Sequence, residues 1–145
     1  MSFSLDINKF IEKTGAKADM STRRIINRIL GKVVMKSPVG NTQNWKNQAH
    51  LPKGYVGGHF RKNWQVGVDS KPSGTVDGID QGGSKTIADG TAKIPANAIG
   101  HVYYIQNNLP YAQALEDGHS TQSPPGNMVA GTVAEFESII REATL

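Results

Sequence analysis

The chain has 145 residues, 37% of them hydrophobic, with 16 Gly, 7 Pro and no Cys. That length fits one compact domain over 1–145, and the lean apolar content beside plentiful Gly and Pro points to long loops or to surface buried against neighbours. Lack of Cys excludes disulfides and thiolate metal sites and suits a reducing compartment. No stretch nears the roughly 18 apolar residues of a membrane span, and no signal-peptide core is visible.

The net charge of +4 is unevenly spread: residues 1–64 hold 12 Lys/Arg against 3 acids (+9), and residues 65–145 hold 4 against 9 (−5). Such polarity suits nucleic-acid contact at the basic end, or head-to-tail association of identical subunits.

In chain order, the first 36 residues predict a long amphipathic helix with Asp6 as N-cap. Ile7, Ile11, Ala18, Ile25 and Ile29 share one face at about 100° per residue, widened by Ile26 and Val33. Opposite them lies a basic ridge of Lys9, Lys13, Lys17, Arg24 and Arg28, either a solvated face or a surface for protein or DNA. Pro38 and Gly40 stop the helix. Residues 41–58 show no period and form a long loop carrying Trp45 and Tyr55. Loops of that length usually bind something, so both aromatics are candidate interface residues; Trp45 alternatively folds back over the core.

From His59 to Asp69 the alternation of Phe60, Trp64, Val66 and Val68, interrupted by Lys62, predicts a strand. Residues 70–98 read as a Gly/Ser/Asp-rich insertion with a short helix around Ser84–Asp89. A second β-like run at Ile99–Gln106 pairs antiparallel with the first. Tyr111–Asp117 predicts a short helix closed by Gly118, and Asn127–Ala143 a C-terminal amphipathic helix through Val129, Val133, Phe136, Ile139 and Ile140. The expected class is α+β: a long N-terminal helix, a small antiparallel sheet with long inserted loops, and a C-terminal helix packed on the sheet.

Chemistry-bearing patterns are scarce. There is no Gly-x-Ser-x-Gly elbow, phosphate-binding loop or dinucleotide fingerprint. The histidines (His50, His59, His101, His119) include no pair spaced for a metal on a helix face. Glu116, Asp117 and His119 form the densest acid–histidine group but have no evident nucleophile beside them. The sequence therefore predicts neither enzyme nor cofactor.

Three segments together resemble the tail-completion, or neck, proteins of long-tailed bacteriophages. Lys36-Ser37-Pro38-Val39-Gly40 resembles the family's Ser-Pro-Val turn after its long helix. Tyr55 to Trp64 resembles the Thr-Gly-x-Leu-Arg-x-Ser-Trp approach to the first strand, with Gly58, Phe60, Arg61 and Trp64 on matching positions. Leu109 to Ser120 is similar to Pro-Tyr-Ala-x-x-x-Glu-x-Gly-x-Ser, followed by the turn Gln122-Ser123-Pro124-Pro125-Gly126. The 38–58 loop and the 70–98 insertion depart from a minimal member.

The resemblance implies a non-enzymatic virion protein of the neck, assembled in the host cytoplasm, that completes the tail and joins it to the filled head. Its partners would be further copies in a ring, hexameric by analogy, with tail-terminator and head-connector proteins. DNA would pass through the lumen without sequence-specific contact, and no membrane is involved. Gly58 and Gly118 are expected in turns, and Trp64 and Tyr111 as packing between sheet and helices. Glu116 is expected to hydrogen-bond or ion-pair, with Arg61 as first partner. The alternative from another class is a DNA-binding accessory protein using the Lys9–Arg28 ridge.

Overall fold

The computed structural model describes residues 2–5, 18–39, 57–117 and 126–143. Its elements are β1 (Ser2–Leu5), α1 (Ala18–Lys36), α2 (His59–Lys62), β2 (Trp64–Val68), α3 (Ser84–Ala92), β3 (Tyr103–Asn107), α4 (Ala112–Glu116), α5 (Val129–Ala134) and α6 (Phe136–Ala143). The α+β class is as expected.

The strands form an antiparallel sheet in the order β1-β3-β2. On its core face Val66 pairs with Ile105, and Trp64 with Asn107. Helix α1 buries Ile25, Ile26, Ile29, Leu30, Val33 and Val34, the face set by its helical period. It contacts α3 along one flank and α5 and α6 along the other, while α3 also packs on β2. Ile139, Ile140 and Ala143 of α6 enter the same buried cluster as Trp64, Val66, Tyr103 and Ile105, so the C-terminal helix shares the sheet's core. The approach of α3 depends on Gly90, where a Cβ would meet Leu30 Cδ2 at 2.5 Å and Val66 Cγ2 at 2.9 Å.

Three expectations change. The chain opens with strand β1 rather than helix, because Ser2–Leu5 alternates polar and apolar residues and pairs with β3. Asp6 and the rest of the proposed first turns lie outside the described residues. The predicted strand at 59–69 splits into a helical turn and a shorter strand. Phe60 and Trp64 are four apart, which suits a turn of helix as well as alternation, and their rings meet edge-on at 6.1 Å. The C-terminal helix breaks at Glu135, whose amide bonds back to Thr132 O at 3.1 Å. Its phase carries across the break, so Thr132, Ile139 and Ala143 remain buried, but Val133 is 44% exposed.

The insertion between β2 and β3 is closed at its base by Asp69. This residue adopts φ 63°, accepts hydrogen bonds from Val102 N at 3.0 Å, and lies 2.6 Å from His101 Nδ1. Further along, Asn63 ties to both the N–H and the C=O of Val76 at 2.7 and 2.9 Å. The short helix expected within the insertion is present as α3. Among the described residues no helix is long and apolar enough to cross a membrane.

Candidate functional site

The three family-like segments converge on the C-terminal end of α1. A helix leaves its last four carbonyls without partners inside the helix. Here each is claimed. Ser37 Oγ donates to Val33 O at 2.6 Å and Ser37 N to Val34 O at 3.2 Å, Arg61 Nη2 to Met35 O at 3.1 Å, and Asn127 Nδ2 to Lys36 O at 3.1 Å.

Ser37 is the hub. Its hydroxyl accepts the Trp64 indole N–H at 2.8 Å, and its carbonyl accepts Arg61 Nε at 2.9 Å. Trp64 and Ser37 are 2% and 1% exposed, so these polar groups cannot turn to water instead. Arg61 also donates to Gln81 O at 2.7 Å, and its positive charge suits the negative end of the helix. Burial draws its guanidinium below the ordinary value, with Asp80 opposing.

Gly58 makes this geometry reachable. Its N–H bonds Val39 O at 2.8 Å and its C=O receives Asp80 N at 3.1 Å. Its φ is 112°, and a Cβ would sit 2.9 Å from Gln81 N. Burial alone would raise the Asp80 carboxyl, but hydrogen bonds from Thr86 and Gly83 and the charge of Lys62 outweigh it and hold the group below its ordinary value.

The third segment joins through two polar residues. Asn107, fully buried, donates to Phe60 O at 3.0 Å and accepts from Leu109 N at 3.2 Å. Tyr111 stacks tilted on Phe60 at 5.9 Å but remains 45% exposed, so it rims the joint rather than filling it. Glu116 is not the partner of Arg61. Its carboxylate takes three backbone amides, those of Met128, Val129 and Ala130 at 3.1, 3.1 and 3.0 Å, and so closes the start of α5. Met128 Sδ in turn lies 3.3 Å from Ser37 Oγ. Gly58, Arg61, Trp64, Tyr111 and Glu116 therefore belong to one continuous joint. Trp45, Tyr55, Gly118, Lys9, Lys13, Lys17, His50 and His119 lie outside the described residues.

The remaining ridge residues occupy a different surface. Arg24 and Arg28 are exposed on α1, and Arg28 pairs with Glu142 of α6 at 2.9 Å. Beside it Glu135 receives Lys32 at 2.9 Å and Lys36 at 2.7 Å, and those two hydrogen bonds hold its carboxyl below the ordinary value. Part of the charge contrast between the basic and acidic halves is thus satisfied within the chain.

Sequence reasoning missed Asn63, Asp80, Asn107 and Asn127. The available signal was an Asn or Asp beside a strand end or helix start, where short polar side chains satisfy stray backbone groups. Among the described residues no group of three His, Asp or Glu side chains is placed to hold a metal. The carboxylate of Glu116 is spent on backbone amides, which leaves Asp117 as the other acid of the acid–histidine grouping, whose His119 lies outside the described residues. Compared with known protein families, curated proteins and solved structures, the chain matches none.

Proposed function

We propose that this chain is a structural subunit of the phage neck, one that completes the tail and joins it to the DNA-filled head by assembling as a ring around the DNA channel. The observation that carries the reading is the joint. Arg61 and Trp64 of the second segment bond Ser37 of the first at the end of α1, and the third segment meets them through Tyr111 against Phe60 and through Glu116, which holds the backbone of Met128 beside Ser37. Their roles there are capping, turning and packing, which suits a protein that acts by holding shape. A subunit with unlike flanks, α3 on one side of α1 and α5–α6 on the other, also suits a heterologous contact that closes into a ring.

The DNA-binding alternative draws less support, because Arg28 of the ridge already faces Glu142. The test is native mass spectrometry and electron microscopy of the purified chain, alone and with tail-terminator and head-connector proteins. A closed ring that binds either partner is expected, six-fold by analogy. A monomer at all concentrations that ignores both partners overturns the reading.

A further inference from the structure

Aspartate precedes glycine at 77–78, 89–90 and 117–118. Such a step can rearrange without an enzyme, because glycine has no side chain to shield its amide nitrogen from the aspartyl carboxyl. The fold treats the steps differently.

Asp77 and Gly78 are both exposed, in the insertion between β2 and β3. Among the described residues the Asp77 carboxyl makes no hydrogen bond or ion pair, and the Gly78 N–H has no acceptor. Gly78 takes φ 96°, and a Cβ there would meet nothing within 4 Å. The backbone on either side is pinned. Asn63 holds the N–H and C=O of Val76 at 2.7 and 2.9 Å, and His59 Nδ1 lies 2.8 Å from Gly78 O.

Asp89 and Gly90 lie inside α3, with Gly90 buried. The Asp89 carboxylate takes Lys85 Nζ at 3.3 Å, and the Gly90 N–H belongs to the helical ladder. A ring closed on the Gly90 nitrogen would remove its hydrogen, as proline does in a helix interior, and would break a bond of α3. At the third step the Asp117 carboxylate accepts from Gln113 at 3.0 Å, and Gly118 lies outside the described residues.

We propose that Asp77–Gly78 is a site of spontaneous isoaspartate formation that loosens the insertion. The Gly78 nitrogen attacks the carboxyl carbon of Asp77. The amide proton and the carboxyl hydroxyl leave as water, and a cyclic imide forms. Water then opens the imide at either carbonyl. One opening restores Asp77; the other routes the main chain through its side-chain carbons, with no net change in composition. The isomer inserts an extra methylene between two pinned residues, so the hold of Asn63 on Val76 is lost. The assignment is independent of the neck reading.

The test is storage of the folded chain at mildly acidic pH, where some of the reactive carboxylic acid is present, followed by peptide mapping with a fragmentation that distinguishes isoaspartate. Isoaspartate is expected about tenfold faster at 77 than at 89, since only the second step must open a helix first. Asp77→Glu, which would need a larger ring, abolishes the product at 77. Equal rates at 77 and 89, or a rate at 77 more than about tenfold below that of the urea-unfolded chain, overturn the proposal. In the isolated isomer, hydrogen exchange at the Val76 amide is expected to rise about tenfold while Ile105 in β3 is unchanged. Unchanged exchange at Val76 overturns the loosening of the insertion.

Discussion

At its C-terminal end α1 is held by hydrogen bonds that are buried around Ser37 and Trp64 and partly buried at Asn127, whereas along its exposed face it is held to the C-terminal helices by ion pairs near water. The two regions use similar distances, from 2.6 to 3.2 Å at the joint and from 2.7 to 2.9 Å at the seam. Their environments differ. Arg28 and Glu142 are 47% and 56% exposed, and exposed pairs of that kind contribute about 0.2–1 kcal/mol each, screened further by salt. At the joint, removing one partner strands a donor or acceptor away from water, at a cost of about 1–3 kcal/mol per group. Burial, more than bond length, separates what sets the shape from what only adjusts it.

The sharpest way to break this contrast is Glu116→Ala. Loss of the carboxylate that accepts from three amides at the start of α5 should cost about 3 kcal/mol and lower Tm by about 10 °C, with little dependence on salt, as thermal melts would show. A loss below about 1 kcal/mol would mean that α5 is positioned by its apolar contacts instead.

Acid should probe the edge of the joint with a smaller effect. The folded-state pKa of Asp80 lies below its ordinary value, so its contribution is present above about pH 4 and is lost as pH falls through the lowered value. Asp80→Asn should therefore be less stable than the parent near neutrality, by about 1 kcal/mol, and should lose less on acidification. Parallel acid-induced curves would show that Asp80 is not the titrating group. Smallest should be Glu135→Gln, costing about 0.5 kcal/mol in dilute buffer and nothing measurable in about 1 M NaCl. A salt-resistant loss there would move the seam into the class of the joint.

The legibility of the sequence follows the same division. The buried face of α1 was readable because Ile25, Ile29 and Val33 repeat at helical spacing, and so was an antiparallel pairing of 59–69 with 99–106, both runs being β-branched and aromatic, though the strands themselves span 64–68 and 103–107. Phe60 was ambiguous in principle: a spacing of four from Trp64 satisfies a period of two and a period near 3.6 alike, and the left-handed backbone at Gly58 decides for the helical turn. Partners in space were beyond reach. Charge suggested Arg61 for Glu116, but both groups prefer backbone: Arg61 takes carbonyls at a helix end, and Glu116 takes amides at a helix start. Nothing local marks which orphan backbone group a distant side chain will find.

The end of α1 also bears on the order in which the chain can become itself. Its final carbonyls wait for Arg61, 24 and 26 residues downstream, and for Asn127, 91 residues downstream. As the chain leaves the ribosome, the helix can form locally, but its last turn stays incompletely bonded until Asn127 has emerged. The joint thus acts as a completion check. A chain cut short before Asn127 retains an unfinished helix end, and one that extends past it seals it.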